Sequence, residues 1–141
     1  MIVQYRPSLY TAGKLFRAEY FRLLRSNHPE FEFTARWIDQ PRLDDNETNA
    51  SPAEFAHFWT MDIQDATRSD FTLCYGGDFN EPSDELKGAL VEAGTALGAG
   101  KIVLAVNLPT RHTWSWHPRV VRFLNTQEAF DFLQRYVRRP L

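Results

Sequence analysis

The stretch FTLCYGGDFNEPSDELKGALVEAGTALGAGKIVLAVN, residues 71–107, decides the fold. It opens with an apolar run over 71–77 and closes with another over 101–107, each typical of a strand buried on both faces. Between them, small and apolar residues recur at helical spacing over 84–99, and glycines follow where that helix should end. A strand, a helix and a second strand in this order predict a parallel pair joined by a crossover helix.

The flanking segments continue the alternation of strands and helices, with polar or aromatic loops at 39–50, 78–83 and 108–118. We therefore predict an α/β fold with a parallel sheet covered on both faces. Ligands bind such sheets outside the carboxyl ends of the strands, so the loops after Ala12, Gly77 and Val106 are the candidate site. The predicted strands are 8–12, 31–38, 71–77, 101–107 and 119–124, and the predicted helices are 14–27, 52–67, 84–99 and 126–139.

Length and composition favour one compact domain over residues 1–141. The 16 basic and 18 acidic side chains show no basic patch, so we expect no nucleic-acid polymer as partner. No apolar run reaches the ~18 residues of a membrane span, and the one cysteine, Cys74, cannot form an internal disulfide. We expect a cytoplasmic protein without a membrane partner, with Cys74 packed in a strand. Because no histidine pairs with another ligand residue at metal spacing, and no dinucleotide or phosphate-loop motif occurs, we expect neither a metal nor a cofactor.

Glu92 is the one charged residue in GALVEAGTALGAG, a segment otherwise shaped for close helix packing. An unpaired carboxylate sealed in a core is costly, so we expect this one to face a cavity. Gly88 and Thr95 share its stripe of the helix, and a glycine one turn before a carboxylate leaves room for a ligand. The alternative is a solvated glutamate on an exposed face.

Other acids and one phenol are also candidates. Asp62 and Asp65 lie in the helix before the third strand, and either one could face the cleft, while Asp70 is typical of a turn or cap. Tyr10, in the first strand, could lie near Glu92 or could be an ordinary core tyrosine.

Three stretches together resemble the nucleoside 2-deoxyribosyltransferase family, which includes deoxynucleoside-monophosphate N-glycosidases. They are SLYTAGKLF (8–16), FWTMDIQDATRSDFTLCY (58–75) and LKGALVEAGTALGAGKIVLAV (86–106), and they cover under half of the chain. The resemblance implies a flavodoxin-like three-layer sandwich with a five-stranded parallel sheet. It also implies Glu92 as the nucleophile, Asp62 as the acid that protonates the leaving base, and Tyr10 as the residue that orients the nucleophile.

The resemblance extends to substrate contacts and assembly. It implies a homodimer or higher homo-oligomer in which a polar residue of the neighbouring subunit completes each pocket, and His112 or Ser115 is the candidate. Where some members carry a sugar-binding aspartate six residues before the nucleophile, this chain has Leu86, with Asp84 and Glu85 just upstream. The substrate-binding candidates are therefore Gly13, Lys14, Gly77, Glu85, Gly88 and Ser115.

We expect deoxyribosyl transfer between a small-molecule nucleoside and a free nucleobase through a covalent glycosyl-Glu92. The alternative within this chemistry is hydrolysis of a (deoxy)nucleoside 5′-monophosphate. In that case Lys14 and Arg17 could lie near the phosphate, or both could be solvated residues at the start of a helix. Two further alternatives are a nucleotide sensor without turnover, which Leu86 favours, and a glycohydrolase of a dinucleotide such as NAD, against which the short loops argue. The aromatic loop Trp114-Ser115-Trp116 could stack on a base, although tryptophan is enriched at subunit interfaces and we favour that role.

Overall fold

The computed structural model describes residues 6–40, 50–78 and 80–137. Its strands are β1 (Ser8–Ala12), β2 (Glu32–Phe33), β3 (Phe71–Tyr75), β4 (Ile102–Val106) and β5 (Val120–Phe123). Its α-helices are α1 (Ala18–Asn27), α2 (Pro52–Arg68), α3 (Gly88–Gly98) and α4 (Thr126–Leu133). Short 3₁₀ turns occupy Leu15–Arg17, Arg36–Asp39, Thr113–Trp116 and Gln134–Tyr136.

The five strands form one parallel sheet in the order β2-β1-β3-β4-β5. Helices α2 and α3 contact each other on one side of the sheet. Helices α1 and α4 meet on the other side, where the ring of His28 stacks on Phe130 with centroids 3.8 Å apart. This is the predicted flavodoxin-like three-layer sandwich, and the strand order reverses between β1 and β3.

The central strands are buried because apolar side chains cover both of their faces. All residues of β1 and β3 are buried, including Cys74, as the sequence predicts. Asp70 ties the starts of these two strands together, since its Oδ2 accepts the Ser8 N–H at 3.0 Å and its own N–H donates to Ser8 Oγ at 2.8 Å. The predicted start of α2 is also confirmed, because Ser51 and Glu54 form a reciprocal capping box ahead of Pro52.

The predicted strand over 31–38 is wrong for most of its length. Only Glu32–Phe33 pair with β1, and Arg36–Asp39 form a 3₁₀ turn. The turn is fixed by partners distant in sequence. Arg36 donates its backbone N–H to Asp65 at 3.0 Å, and Trp37 donates its indole N–H to the carbonyl of Thr11 at 2.7 Å.

Three helix boundaries differ from the prediction by four residues or more. Helix α1 begins at Ala18 instead of 14, α3 begins at Gly88 instead of 84, and α4 ends at Leu133 instead of 139. The residues before α3 cannot be helical because the N–H of Asp84 donates to the carbonyl of Gly76 at 2.7 Å. The predicted loop at 39–50 lies largely outside the described residues, since 41–49 are not among them. Within the described ranges, no helix has the length and apolarity that crossing a membrane requires.

Candidate active site

Tyr10 and Glu92 meet between the sheet and α3. The phenol of Tyr10 donates a hydrogen bond to Oε2 of Glu92. Tyr10 is fully buried at the centre of β1, and only 6% of Glu92 is exposed. The structure therefore excludes a solvated glutamate at position 92, and it makes Tyr10 a contact of that carboxylate as well as a core residue.

Local sequence explains why this carboxylate reaches the sheet. Ala89, Ala93 and Ala96 are buried on the same side of α3 as Glu92. These small side chains let α3 approach the sheet closely, so the longer glutamate side chain extends toward β1. Tyr10 pairs in register with Thr72 of β3, which places its phenol at the point where the strand order reverses.

The electrostatics keep the Tyr10 phenol protonated. Burial raises the pKa of Tyr10 well above its usual value, and the charges of Glu92 and then Asp62 raise this pKa further. A phenol that holds its proton at neutral pH acts as a donor, so it supports the ionised form of the carboxylate it contacts. The charge of the buried Asp62 therefore acts on the Tyr10 phenol together with that of Glu92.

The two aspartates of α2 differ in their partners. Asp65 is fully buried and forms an ion pair with Arg36, whose Nη2 lies 2.9 Å from Oδ1, and Nε of Arg68 lies 3.5 Å from the same oxygen. Asp62 is 3% exposed, and its charge affects the pKa of Tyr10 more strongly than the charge of Asp65 does. Of the two, Asp62 is therefore associated with the Tyr10–Glu92 pair, and Asp65 holds the turn after β2 against α2.

Cys74 contributes a buried, neutral thiol on β3. Burial, and then the charge of Glu92, raise the pKa of Cys74 to about 12, so the group stays protonated at neutral pH. The described residues contain no group of three or more histidine, cysteine, aspartate or glutamate side chains placed to hold a metal ion.

An ion pair links the loops at the carboxyl edge of the sheet. Arg17 Nε and Nη2 each lie 3.1 Å from a different oxygen of Asp84, which joins the segment after β1 to the segment before α3. Gly77 permits this contact, because its φ of +104° disfavours other residues and a Cβ there would lie 2.9 Å from Arg17 Nη2. Lys14 is half-buried at the same edge. Phe21 packs against Gly13, since a Cβ at position 13 would lie 3.1 Å from Cζ of Phe21.

Glu85 and Ser115 are the remaining substrate-binding candidates. Glu85 is exposed and lines a cavity of about 630 Å³. Ser115 is buried within its own chain, where its hydroxyl donates to the carbonyl of His112 at 2.7 Å and accepts from Arg122. The cavity is lined by Pro82, Ser83, Asp84, Glu85, Leu86, Pro109, Arg111 and His112.

Comparison with known proteins adds a likeness of fold. No model of a protein family matches the sequence, and no curated protein sequence matches it. The solved structure of a CMP N-glycosidase from Clostridium botulinum is similar, with a TM-score of 0.53 and 12% sequence identity over 90% of this chain and 98% of that one. At this identity the likeness shows the shared fold alone.

Sequence reasoning missed two features of the site. The first is the Arg17–Asp84 pair, which joins residues 67 positions apart and leaves no local signal. The second is Trp59, whose ring lies against Gly88, so that a Cβ at Gly88 would be 3.0 Å from Cη2. The spacing of Trp59 three residues before Asp62 is the signal that could have identified it, because residues three apart share a helix face.

Proposed function

We propose that the protein cleaves the N-glycosidic bond of a nucleoside or nucleotide, with Glu92 as the nucleophile. The observation that carries this proposal is the buried carboxylate of Glu92, held by the Tyr10 phenol where the strand order reverses, with the charge of the buried Asp62 acting on the same phenol. The fold supports it, because the similar solved structure is that of a CMP N-glycosidase.

The proposed reaction uses these three residues in distinct roles. A carboxylate oxygen of Glu92 forms a bond to the anomeric carbon as the bond from that carbon to the base breaks. The bonding electron pair leaves with the base nitrogen, and Asp62 in its acid form donates a proton to the base. Tyr10 holds the Glu92 carboxylate in place during both halves of the reaction.

The second half of the reaction decides the class of enzyme. If water attacks the anomeric carbon, the bond from that carbon to Glu92 breaks, the water gives a proton back to Asp62, and the products are a base and free sugar or sugar phosphate. If a second nucleobase attacks, the same bond to Glu92 breaks, the attacking nitrogen gives its proton to Asp62, and a new nucleoside forms. The sequence stretches that resemble deoxyribosyltransferases favour transfer, and the fold likeness to a CMP N-glycosidase favours hydrolysis.

A 5′-phosphate, where the substrate has one, would meet Lys14 in this proposal. Of the two cations that follow Gly13, Arg17 is held by Asp84 and Lys14 has no such ion pair in the described chain.

We also propose a homo-oligomer whose partner supplies a polar residue from the loop 108–118. Light scattering on a sizing column tests the assembly, and a monomer at assay concentration would contradict it.

The deciding experiment follows substrate and products by chromatography. Deoxynucleosides, deoxynucleoside monophosphates and CMP are each incubated with the protein, first in buffer and then with a different free base. Release of base without exchange identifies a hydrolase, and a new nucleoside identifies a transferase.

Two matched variants accompany the assay. Glu92→Gln should lower turnover by at least about 10³-fold, because the nucleophile is lost while the side chain keeps its shape. Glu19→Gln, an equal change on the exposed face of α1, should leave turnover unchanged. Full activity in Glu92→Gln, or no cleavage of any of these substrates, would refute the proposed function.

A further inference from the structure

Trp59 lies about one helical turn before the acidic residues of the proposed site. It precedes Asp62 by three residues on α2, so the two side chains share one helix face. Its Cη2 and Cζ2 would lie 3.0 and 3.2 Å from a Cβ at Gly88, which precedes Glu92 by one turn of α3. The indole therefore crosses from α2 to α3, one turn nearer the helix starts than Asp62 and Glu92.

This position faces the edge of the sheet where ligands enter. Helices between parallel strands run opposite to those strands, so the starts of α2 and α3 lie toward the carboxyl edge. Side chains on a helix also lean toward its start. We therefore expect a substrate that reaches Asp62 and Glu92 from the carboxyl edge to pass beside the Trp59 ring.

The ring is not needed for the core. Trp37 is 3% exposed and hydrogen-bonded to Thr11, and Trp114 packs against the core. Trp59 is half-buried, is not among the described side chains that form or cover the core, and has no hydrogen bond or ring partner within the described residues. A large aromatic surface in this situation remains available to a ligand.

We propose that Trp59 is a specificity-determining residue on which the nucleobase of the substrate stacks. This inference rests on the proposed function, because that function places the base next to Asp62, the neighbour of Trp59 on α2. Stacking uses the π-face that every nucleobase carries, so it selects planar heteroaromatic leaving groups over others. A bicyclic purine covers more of an indole than a pyrimidine does.

The expected effect is on binding more than on chemistry. The loss of one base–aromatic stack lowers affinity by roughly 5-fold to 150-fold. Trp59→Leu should therefore raise KM by about 10-fold or more with little change in kcat, because stacking holds substrate and transition state alike. Trp59→Phe should recover part of the loss, since a smaller ring still stacks.

The test measures tryptophan fluorescence while free adenine or free cytosine is titrated into the Glu92→Gln protein. That background does not turn substrate over, so binding is read without cleavage. The same titration is run with Trp59→Phe added, and with Trp116→Phe added as the matched variant, because Trp116 is 63% exposed and belongs to a different element. Circular dichroism checks that each variant is folded, and Trp59→Phe keeps a ring if Trp59→Leu fails to fold.

The outcomes separate this inference from the proposed function. Quenching that is lost in Trp59→Phe and kept in Trp116→Phe supports the stacking role, even if no substrate is cleaved and the proposed function fails. Quenching that survives in Trp59→Phe, or that depends on Trp116, overturns the stacking role while leaving cleavage intact. The absence of any quenching by either base also overturns it.

Discussion

Tyr10→Phe removes one hydroxyl and leaves the ring in place. Tyr10 is fully buried and its Glu92 partner is 6% exposed, so water cannot replace the lost donor readily. A hydrogen bond to a charged group contributes ~1.5–3 kcal/mol, and we expect the free energy of unfolding near neutral pH to fall by that amount. Turnover should fall by ~10–100-fold, which corresponds to ~1.4–2.8 kcal/mol of transition-state stabilisation.

Urea unfolding followed by tryptophan fluorescence measures the stability, and a double-mutant cycle isolates the contact. In the Glu92→Gln background the acceptor is neutral, so Tyr10→Phe should cost only ~0.5–1.5 kcal/mol. Tyr136→Phe is the control, because it makes the same chemical change on a side chain that is 38% exposed. An equal cost in both backgrounds, together with unchanged turnover, would refute the claim that the phenol supports an ionised Glu92.

Two further predictions concern stability. Because the pKa of Tyr10 is higher in the folded protein than its usual 10.0, it contributes stability that is fully present below pH 10.0 and is lost as the pH rises further. The pKa of Cys74 is raised from 9.0 to about 12, so its contribution to stability is lost between pH 9.0 and about pH 12. Urea midpoints between pH 8 and 11 should therefore decline less steeply in Tyr10→Phe and in Cys74→Ala than in the parent, and parallel declines would contradict these pKa shifts. Gly94→Ala, with no atom within 4 Å of its Cβ, should stabilise by ~0.4–1 kcal/mol, whereas Gly88→Ala should stabilise less or destabilise, because its Cβ would lie 3.0 Å from Trp59. Thermal melts compare the two glycine variants, and an equal effect of both would contradict the contact between Trp59 and Gly88.

The parts of the fold that local sequence determines were predictable. β3 and β4 are continuous apolar runs, and α2 begins with Ser51, Pro52 and Glu54, whose capping chemistry acts within four residues. The segment 31–38 was not predictable, because its aromatic alternation is typical of a strand while Arg36 is held by Asp65, 29 residues later. The early start expected for α3 failed for the same reason, since Asp84 is held by Arg17 and by the carbonyl of Gly76.

The candidate site was likewise predictable only in part. An isolated carboxylate in a small-residue helix marked Glu92, and its burial beside Tyr10 agrees with that pattern. Spacing alone did not separate Asp62 from Asp65, because the ion pair of Asp65 with Arg36 joins residues 29 positions apart and leaves no local signal; only the resemblance singled out Asp62. The sequence around Ser115 gave no indication that its hydroxyl accepts a hydrogen bond from Arg122 of the same chain.

The most direct test of Glu92 as nucleophile is to trap the covalent glycosyl-enzyme. The protein is incubated with a fluorinated deoxynucleoside or deoxynucleotide analogue, in which fluorine on the sugar slows release of the intermediate, and intact mass and peptide mapping follow the adduct. Our account predicts a gain equal to the fluorosugar on the peptide that contains Glu92, and no adduct in Glu92→Gln. An adduct on any other residue, or steady release of base with no adduct and full activity in Glu92→Gln, would contradict it.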